Sequence, residues 1–141
     1  MPALPEYAAT PDPVPARRVQ VTPAKVAAAM RAFFRIAAAW SLTTAEARVL
    51  LGQPARSTFY TWKRGDARSV AHDTVQRLSY VLGIYKALQI LFKDAEQAAA
   101  WVRKPNEAFG GQSALDRMLA GDVTDLAAVR RYLDAVRGQG A

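Results

Sequence analysis

The side chains of this sequence that could do chemistry are concentrated in the stretch ARSTFYTWKRG, which ends at Gly65. On a helix, Phe59 and Trp62 are three residues apart and would both turn inward. The outward positions then carry basic or hydroxyl-bearing side chains, namely Arg56, Ser57, Thr58, Tyr60, Thr61, Lys63 and Arg64. Arginine can hydrogen-bond a guanine edge, hydroxyl groups bond to bases or phosphates, and lysine and arginine neutralise phosphate charge. The stretch therefore predicts a surface that binds double-stranded DNA.

The distribution of charge favours a polyanionic partner for one part of the chain only. The net charge is +7, and the first 93 residues hold 13 basic and five acidic side chains, against six and seven in the last 48. A strongly basic segment beside a near-neutral one favours nucleic acid as the partner of the former. A basic face that only contacts solvent is the alternative interpretation of the same charges.

Composition excludes several classes of site. The chain has no cysteine and one histidine, His72, which excludes disulfides, zinc ribbons and thiol nucleophiles, and we expect no metal site. No nucleophile is placed beside a base, and no phosphate-binding loop or dinucleotide fingerprint is present, so we expect no catalytic residue, no cofactor and no enzyme activity. No apolar run has the length of a signal peptide core or a membrane span, which predicts a cytoplasmic protein without membrane contact.

Two short helices would position the basic stretch. Thr43 and Glu46 have the spacing of a capping box, and Gly52 would end that first helix in the left-handed conformation. A second helix begins near Arg56, and two short helices joined by a glycine-containing turn are the helix-turn-helix pattern, whose second helix enters the major groove. Phe59 follows Gly52 by seven residues rather than the usual six, so the turn could be one residue longer than usual.

Longer helices are predicted on both sides of this unit. Thr22 and Pro23 begin a helix, and an apolar stripe over residues 73–92 predicts a central helix that also forms a dimer interface. Gly83 lies in the middle of the central helix, where we expect the close approach of another backbone. The first 21 residues contain five prolines, which predict a flexible arm.

A sharp reversal of the chain is predicted near its C-terminal end. Gly110 and Gly111 allow positive φ, and Phe109 would anchor the loop in the core. Asp122 or Thr124 would cap the last helix. The prediction is an all-α chain with three parts: a proline-rich arm at residues 1–21, a helix-turn-helix DNA-binding and dimerisation region at residues 22–93, and a second helical region at residues 94–141.

The segment that begins at Trp101 resembles the toxin-binding domain of Xre/MbcA/ParS-type antitoxins. Their block W-x-x-x-P-N-x-x-F-x-G-x-(S/T)-P-L is matched, with Gly110 inside the same turn, at Trp101, Pro105, Asn106, Phe109, Gly111, Ser113 and Leu115. Ala114 departs from the block where the family commonly has proline, which would soften that corner. The stretch ARSTFYTWKRG resembles recognition helices of Xre-like modules, so the resemblance spans about residues 23–138.

The resemblance implies an Xre-like helix-turn-helix bundle followed by a small helical toxin-binding domain. In this family the C-terminal half docks on a RES-domain toxin that consumes or transfers from NAD, and it blocks the entrance to the toxin's active site. A homodimer would bind promoter DNA and repress its own operon, and bound NAD on this chain is not implied. The side chains expected to face the toxin are Arg130, Arg131, Tyr132 and Arg137, because aromatic and arginine residues are the usual interface anchors. A purely structural place for Tyr132 in the core is the alternative.

Two rival functions stay open on the sequence. The chain could be a stand-alone helix-turn-helix transcriptional regulator whose C-terminal half senses a ligand or dimerises. It could also be an interaction protein that has lost DNA binding. A neighbouring gene that encodes a RES-domain toxin would argue against the first, and salt-dependent DNA binding would argue against the second.

Overall fold

The computed structural model describes residues 21–67 and 69–140, with side chains described up to Gly138. Within these residues the chain forms seven α-helices, one short 3-10 helix and no strand, apart from an isolated bridge between Pro105 and Ser113. The predicted all-α fold is confirmed. The proline-rich arm predicted for residues 1–21 lies outside the described residues, except for Val21.

The helices follow one another along the chain with short connections. Their bounds are α1 (Pro23–Ala39), α2 (Thr44–Leu50), α3 (Arg56–Lys63), α4 (His72–Leu91), α5 (Ala95–Trp101), α6 (Ala114–Met118) and α7 (Val123–Gly140), with the 3-10 helix (Glu107–Phe109) between α5 and α6. Helices α2 and α3 are the two short helices of the predicted helix-turn-helix. The long helices α1, α4 and α7 supply the scaffold around them.

Local capping explains where the first helices begin. Thr22 Oγ1 accepts a hydrogen bond from the Lys25 N–H at 3.2 Å, directly before Pro23 opens α1. Thr43 and Glu46 form the predicted capping box at the start of α2, with distances of 3.0 and 2.9 Å. By contrast, Ala55 precedes α3 without any side-chain cap. Helix α3 has eight residues, so its stability depends on packing against the rest of the protein.

One continuous core joins the two halves of the chain, and α4 lies at its centre. Helix α4 packs against α1 and against α7, and its Val81, Ile84 and Leu88 are fully buried. The same core takes in large side chains from the flanking helices, among them Phe33, Trp40, Phe59, Leu126 and Leu133. The predicted central role of α4 is confirmed, whereas the boundary predicted between residues 93 and 94 stays a prediction.

The glycine in the middle of α4 faces a side chain, so the expectation of a close backbone there was wrong. A Cβ added to Gly83 would collide with the guanidinium of Arg130, which reaches across from α7. The absence of a side chain at Gly83 therefore makes room for an arginine. This contact lies in the seam between α4 and α7, which is the largest helix-helix contact in the described residues.

The large apolar side chains of α4 differ in how far they are covered. Ile84 in the middle of the helix is fully buried, whereas Ile90 near its end is 55% exposed. The dimer interface predicted on α4 stays a prediction. No helix among the described residues is both long enough and apolar enough to cross a membrane.

Candidate functional site

Helix α3 is fixed against the core by Phe59. Its side chain is 1% exposed, and its ring meets Phe34 of α1 edge to face with centroids 5.3 Å apart. Trp62, predicted to point inward beside it, is only half-buried against the core. The orientation of the outward face of α3 therefore depends mainly on one fully buried ring.

The seven residues predicted to contact DNA lie on α3 or at its C-terminal end, and the structure divides them into two groups. Five are exposed, namely Arg56, Ser57, Tyr60, Lys63 and Arg64, while Thr58 and Thr61 are half-buried. Thr61 Oγ1 donates to the Ser57 carbonyl at 2.9 Å and accepts from Arg64 Nη2 at 3.2 Å. Arg56 and Lys63 make no side-chain hydrogen bond or ion pair within the described residues, so their charges are available to a polyanion.

The turn between α2 and α3 contains two successive residues in the left-handed conformation. Gly52 has φ +92°, as predicted for the end of α2, and Gln53 has φ +63°. Arg48 of α2 donates twice to the Pro54 carbonyl, at 2.8 and 3.1 Å. These two bonds tie the end of the turn back to the helix that precedes it.

A buried arginine of α4, which the sequence pattern does not predict, packs against this turn and the end of α2. Arg77 is 8% exposed, donates to Asp73 Oδ2 at 2.8 Å and lies 3.4 Å from the Val49 carbonyl. A Cβ added to Gly52 would lie 3.1 Å from Arg77 Nε. The four-residue spacing of Asp73 and Arg77 on a helix was the available signal, but such pairs are common on helix surfaces.

The reversal between α5 and α6 is built largely from its own residues. Asn106 Oδ1 accepts from the Ala108 N–H at 2.9 Å, and the Asn106 N–H donates to the Gln112 carbonyl at 3.0 Å. Gly110 and Gly111 have φ +68° and +88°, which confirms the positive φ predicted for both. The turn therefore closes on itself through short-range hydrogen bonds.

Ser113 ends this turn with a capping box that the sequence analysis missed. Ser113 Oγ accepts from the Asp116 N–H at 3.0 Å, and Asp116 Oδ2 accepts from the Ser113 N–H at 3.3 Å. Ala114, which stands where proline is common, is fully buried at the first position of α6. The capping box supplies the helix start that proline often provides, and the pattern Ser-x-x-Asp was its signal.

A backbone hydrogen bond joins the start of α6 to the end of α5. The Leu115 N–H donates to the Val102 carbonyl at 2.8 Å, and Leu115 is buried. Helix α7 begins at Val123, so of the two caps predicted for it Asp122 lies directly before the helix and Thr124 is inside it.

Three aromatic rings, Trp101, Phe109 and Tyr132, form a cluster that joins α5, the turn and α7. The rings of Trp101 and Tyr132 stack with centroids 6.2 Å apart, and Phe109 meets Tyr132 edge to face at 5.3 Å. Phe109 is buried, as predicted, while Trp101 and Tyr132 are half-buried. Tyr132 thus packs as a structural residue and also keeps an accessible part, and its contact with a toxin stays a prediction.

The basic residues of α7 differ in how far their charges are already paired. Arg130 donates to Asp134 at 3.1 Å and covers Gly83, and Arg137 lies 3.8 Å from the same carboxylate. Arg131 is exposed and makes no ion pair within the described residues. Arg131 is therefore the cation of α7 whose charge is most available to a partner.

Both surfaces carry side chains of types that bind partners. The part of the chain that the structure describes contains no group of three or more His, Cys, Asp or Glu side chains that could hold a metal ion. Exposed cations on α3 suit a phosphate backbone, and half-buried aromatic rings and an unpaired arginine suit a protein partner.

Comparisons with known proteins match both halves of the chain. Residues 18–83 match the family model of the antitoxin Xre-like helix-turn-helix domain, and residues 87–138 match that of the antitoxin Xre/MbcA/ParS C-terminal toxin-binding domain. An uncharacterized protein of Sinorhizobium fredii, y4oB, is 53% identical over 115 residues, which cover 82% of this chain and 88% of the relative. The two domain matches meet inside α4, the helix that both halves pack against.

Proposed function

Because this chain belongs to the Xre/MbcA/ParS antitoxin family, we propose that it binds and neutralises a RES-domain toxin and represses its own operon. Its homodimer would bind a two-fold promoter site through the helix-turn-helix, and its C-terminal half would block the entrance to the NAD-consuming site of the toxin. The observation that carries the proposal is the placement of an exposed cationic helix and a toxin-binding-type half on one continuous core.

Helix α3 would lie in the DNA major groove. Arg56 and Ser57 are exposed in its first half, which is the part of a recognition helix that contacts base edges, and the exposed Tyr60 follows at the start of its second half. Lys63 and Arg64 are exposed at its end and would neutralise phosphates. Phe59 fixes the face of the helix, so these five side chains would approach the duplex together.

The toxin would dock on α7 and the aromatic cluster. Arg131 offers an unpaired charge, and Trp101 and Tyr132, the second of which follows Arg131 in sequence, offer half-buried stacked rings. Arginine, tryptophan and tyrosine are the residue types that most often dominate interface energies. Arg130 and Arg137 would add further positive charge, part of which the neighbouring Asp134 carboxylate neutralises.

A crossed pair of variants tests the two surfaces in the full-length chain. Arg131→Glu should weaken toxin binding by about tenfold or more and leave DNA binding unchanged. Arg64→Ala should weaken DNA binding and lower its salt slope by about one unit while leaving toxin neutralisation intact. The measurements are co-purification with the product of the adjacent gene, NAD loss by that product, and binding to the upstream promoter duplex over a range of salt concentrations.

A charge-matched control and whole-chain variants make the outcomes distinct. Arg31→Glu on α1 is the control for toxin binding, because Arg31 is exposed and distant in sequence from α7. Deleting the C-terminal half would be uninformative, since Leu126 and Leu133 belong to the common core.

Promoter binding without any toxin partner would reduce the function to a stand-alone regulator. Toxin binding without salt-dependent DNA binding would refute operon repression, and an adjacent product that leaves NAD intact would refute the RES-domain partner.

A further inference from the structure

Arg103, which follows α5, reaches across to the corner between α1 and α2. Its Nη2 donates to the Trp40 carbonyl at 3.0 Å and to the Ser41 carbonyl at 2.9 Å, and its Nε lies 3.3 Å from the Trp40 carbonyl. Nη2 also lies 3.5 Å from Glu46 Oε1. One guanidinium of the C-terminal half therefore contacts three residues of the N-terminal half that lie more than 50 positions earlier in the chain.

The corner that Arg103 contacts has an unusual backbone. Ser41 has φ +55°, a left-handed conformation that glycine ordinarily supplies. It ends α1, and the Leu42 N–H turns back to the Ala37 carbonyl at 2.9 Å. The last carbonyls of a helix lack intrahelical partners and carry partial negative charge, so a guanidinium placed there stabilises both the helix end and the turn.

The same guanidinium reaches the first turn of α2. Glu46 Oε1 accepts from the Thr43 N–H at 2.9 Å in the capping box, and the Arg103 charge lies beside that carboxylate. Helix α2 leads directly into the turn that places α3. Arg103 also follows Trp101 of the aromatic cluster by two residues, so it connects the surface proposed for toxin binding with the start of the helix-turn-helix.

We propose that Arg103 is a positioning residue for DNA binding: from the C-terminal half it fixes the α1–α2 corner and thereby the orientation of α2 and α3. No DNA contact by Arg103 itself is involved. The inference rests on the proposed DNA-binding function for one of its two tests, and the other test needs neither DNA nor toxin.

Hydrogen exchange of the full-length chain tests the structural step. Arg103→Ala should speed amide exchange about tenfold in residues 38–50, because hydrogen bonds from a charged donor are lost there. Exchange in residues 106–119, which close on their own hydrogen bonds, should stay unchanged. Lys104→Ala is the matched control, since Lys104 is the exposed neighbour and makes no side-chain bond within the described residues. An unchanged corner, or a uniform increase along the whole chain, would overturn the inference.

Promoter binding tests the functional step. Arg103→Ala should weaken binding about tenfold with the salt slope unchanged, whereas loss of a phosphate contact lowers the slope by about one unit. A lowered slope would make Arg103 a direct DNA contact and refute the positioning role. If the alanine variant does not fold, Arg103→Lys replaces it and should show the same pattern more weakly, because one ammonium cannot reproduce the forked contacts. If the wild-type chain binds no DNA, the role of Arg103 in DNA binding fails together with the proposed function, and the exchange result decides only whether Arg103 fixes the α1–α2 corner.

Discussion

The turn between α2 and α3 and the turn between α5 and α6 both place glycine at positive φ, yet different parts of the chain stabilise them. Around Gly52, Arg77 of α4 lies beneath the turn and contacts the end of α2. Around Gly111, nothing lies within 4 Å of an added Cβ, and the stabilising bonds come from Asn106 and Ser113 of the same segment. The first turn therefore has an arginine of a distant helix in addition to the local bonds from Arg48, whereas the hydrogen bonds of the second turn are all local.

This difference has a consequence for the two proposed binding surfaces. The position of α3 depends on side chains of α4 and, through the α1–α2 corner, on Arg103 of the C-terminal half. A change in those remote residues would therefore alter DNA binding without touching the DNA surface. The rings of the aromatic cluster beside the second turn contact one another within one half of the chain, so changes at Arg77 or at the α1–α2 corner should affect them less.

The largest effect is expected at the ring that anchors α3. Phe59→Ala should lower the free energy of unfolding by about 3–5 kcal/mol, because it removes a fully buried aromatic side chain. Trp62→Ala should lower it less, since Trp62 is half-buried. Urea denaturation followed by circular dichroism measures both, with Tyr60→Ala as the exposed neighbouring control. Equal losses for Phe59 and Trp62 would contradict the division of roles on α3.

The two glycines provide a matched test of tertiary against local support. Their φ values are nearly equal, +92° for Gly52 and +88° for Gly111, so alanine meets a similar backbone penalty of about 1–2 kcal/mol at each. Gly52→Ala should cost about 1 kcal/mol more, because the new methyl group would press on Arg77, which is already bonded to Asp73.

The extra loss should depend on the arginine beneath the turn. In an Arg77→Met background, the loss of stability caused by Gly52→Ala should approach the loss that Gly111→Ala causes in the wild-type chain, because the methyl group no longer presses on the arginine. Equal costs of the two glycine substitutions in the wild-type background would remove the distinction between the turns.

Arg77 itself should have an effect of about 2 kcal/mol on stability, the size expected for hydrogen bonds from a charged donor. Arg77→Met keeps most of the volume and removes the bonds to Asp73 and Val49. Asp73 is about half exposed, so no buried charge is left without a partner. Denaturation gives the loss of stability, and promoter binding should weaken with an unchanged salt slope. Arg48→Met, which removes the local bonds to Pro54, provides the comparison within the same turn.

Local chemistry explains which parts of this structure could be predicted from the sequence. The capping box at Thr43, the end of α2 at Gly52 and the reversal at Gly110 follow from residues within a few positions of each other. The missed Ser113 box is also local, and an acid one carbon shorter than the usual glutamate obscured it.

The parts that could not be predicted depend on long-range placement. Arg77 and Arg103 look like ordinary surface arginines in the sequence, and only the packing of α4 and α5 brings them to backbone carbonyls of the N-terminal half. For the same reason the sequence pattern predicts a backbone neighbour for Gly83, whereas the structure places the Arg130 guanidinium there. The functions of the seven α3 residues and of the α7 arginines remain predictions, because they depend on partners rather than on the fold of this chain.

The smallest expected effects compare the two capping boxes. Thr43→Ala and Ser113→Ala should each lower the free energy of unfolding by about 1 kcal/mol, the usual value of a helix cap. Their responses to Arg103 should differ, because Glu46 of the first box also lies beside the Arg103 guanidinium, while Asp116 of the second has no such contact. A double-mutant cycle measured by urea denaturation should give a coupling energy of about 0.5 kcal/mol or more between Thr43→Ala and Arg103→Ala, and none within error for Ser113→Ala. Equal coupling for both boxes would mean that Arg103 affects the stability of the whole core rather than that of the first box. In that case the starts of α2 and α6 would not differ in their dependence on a remote residue, as the two turns do.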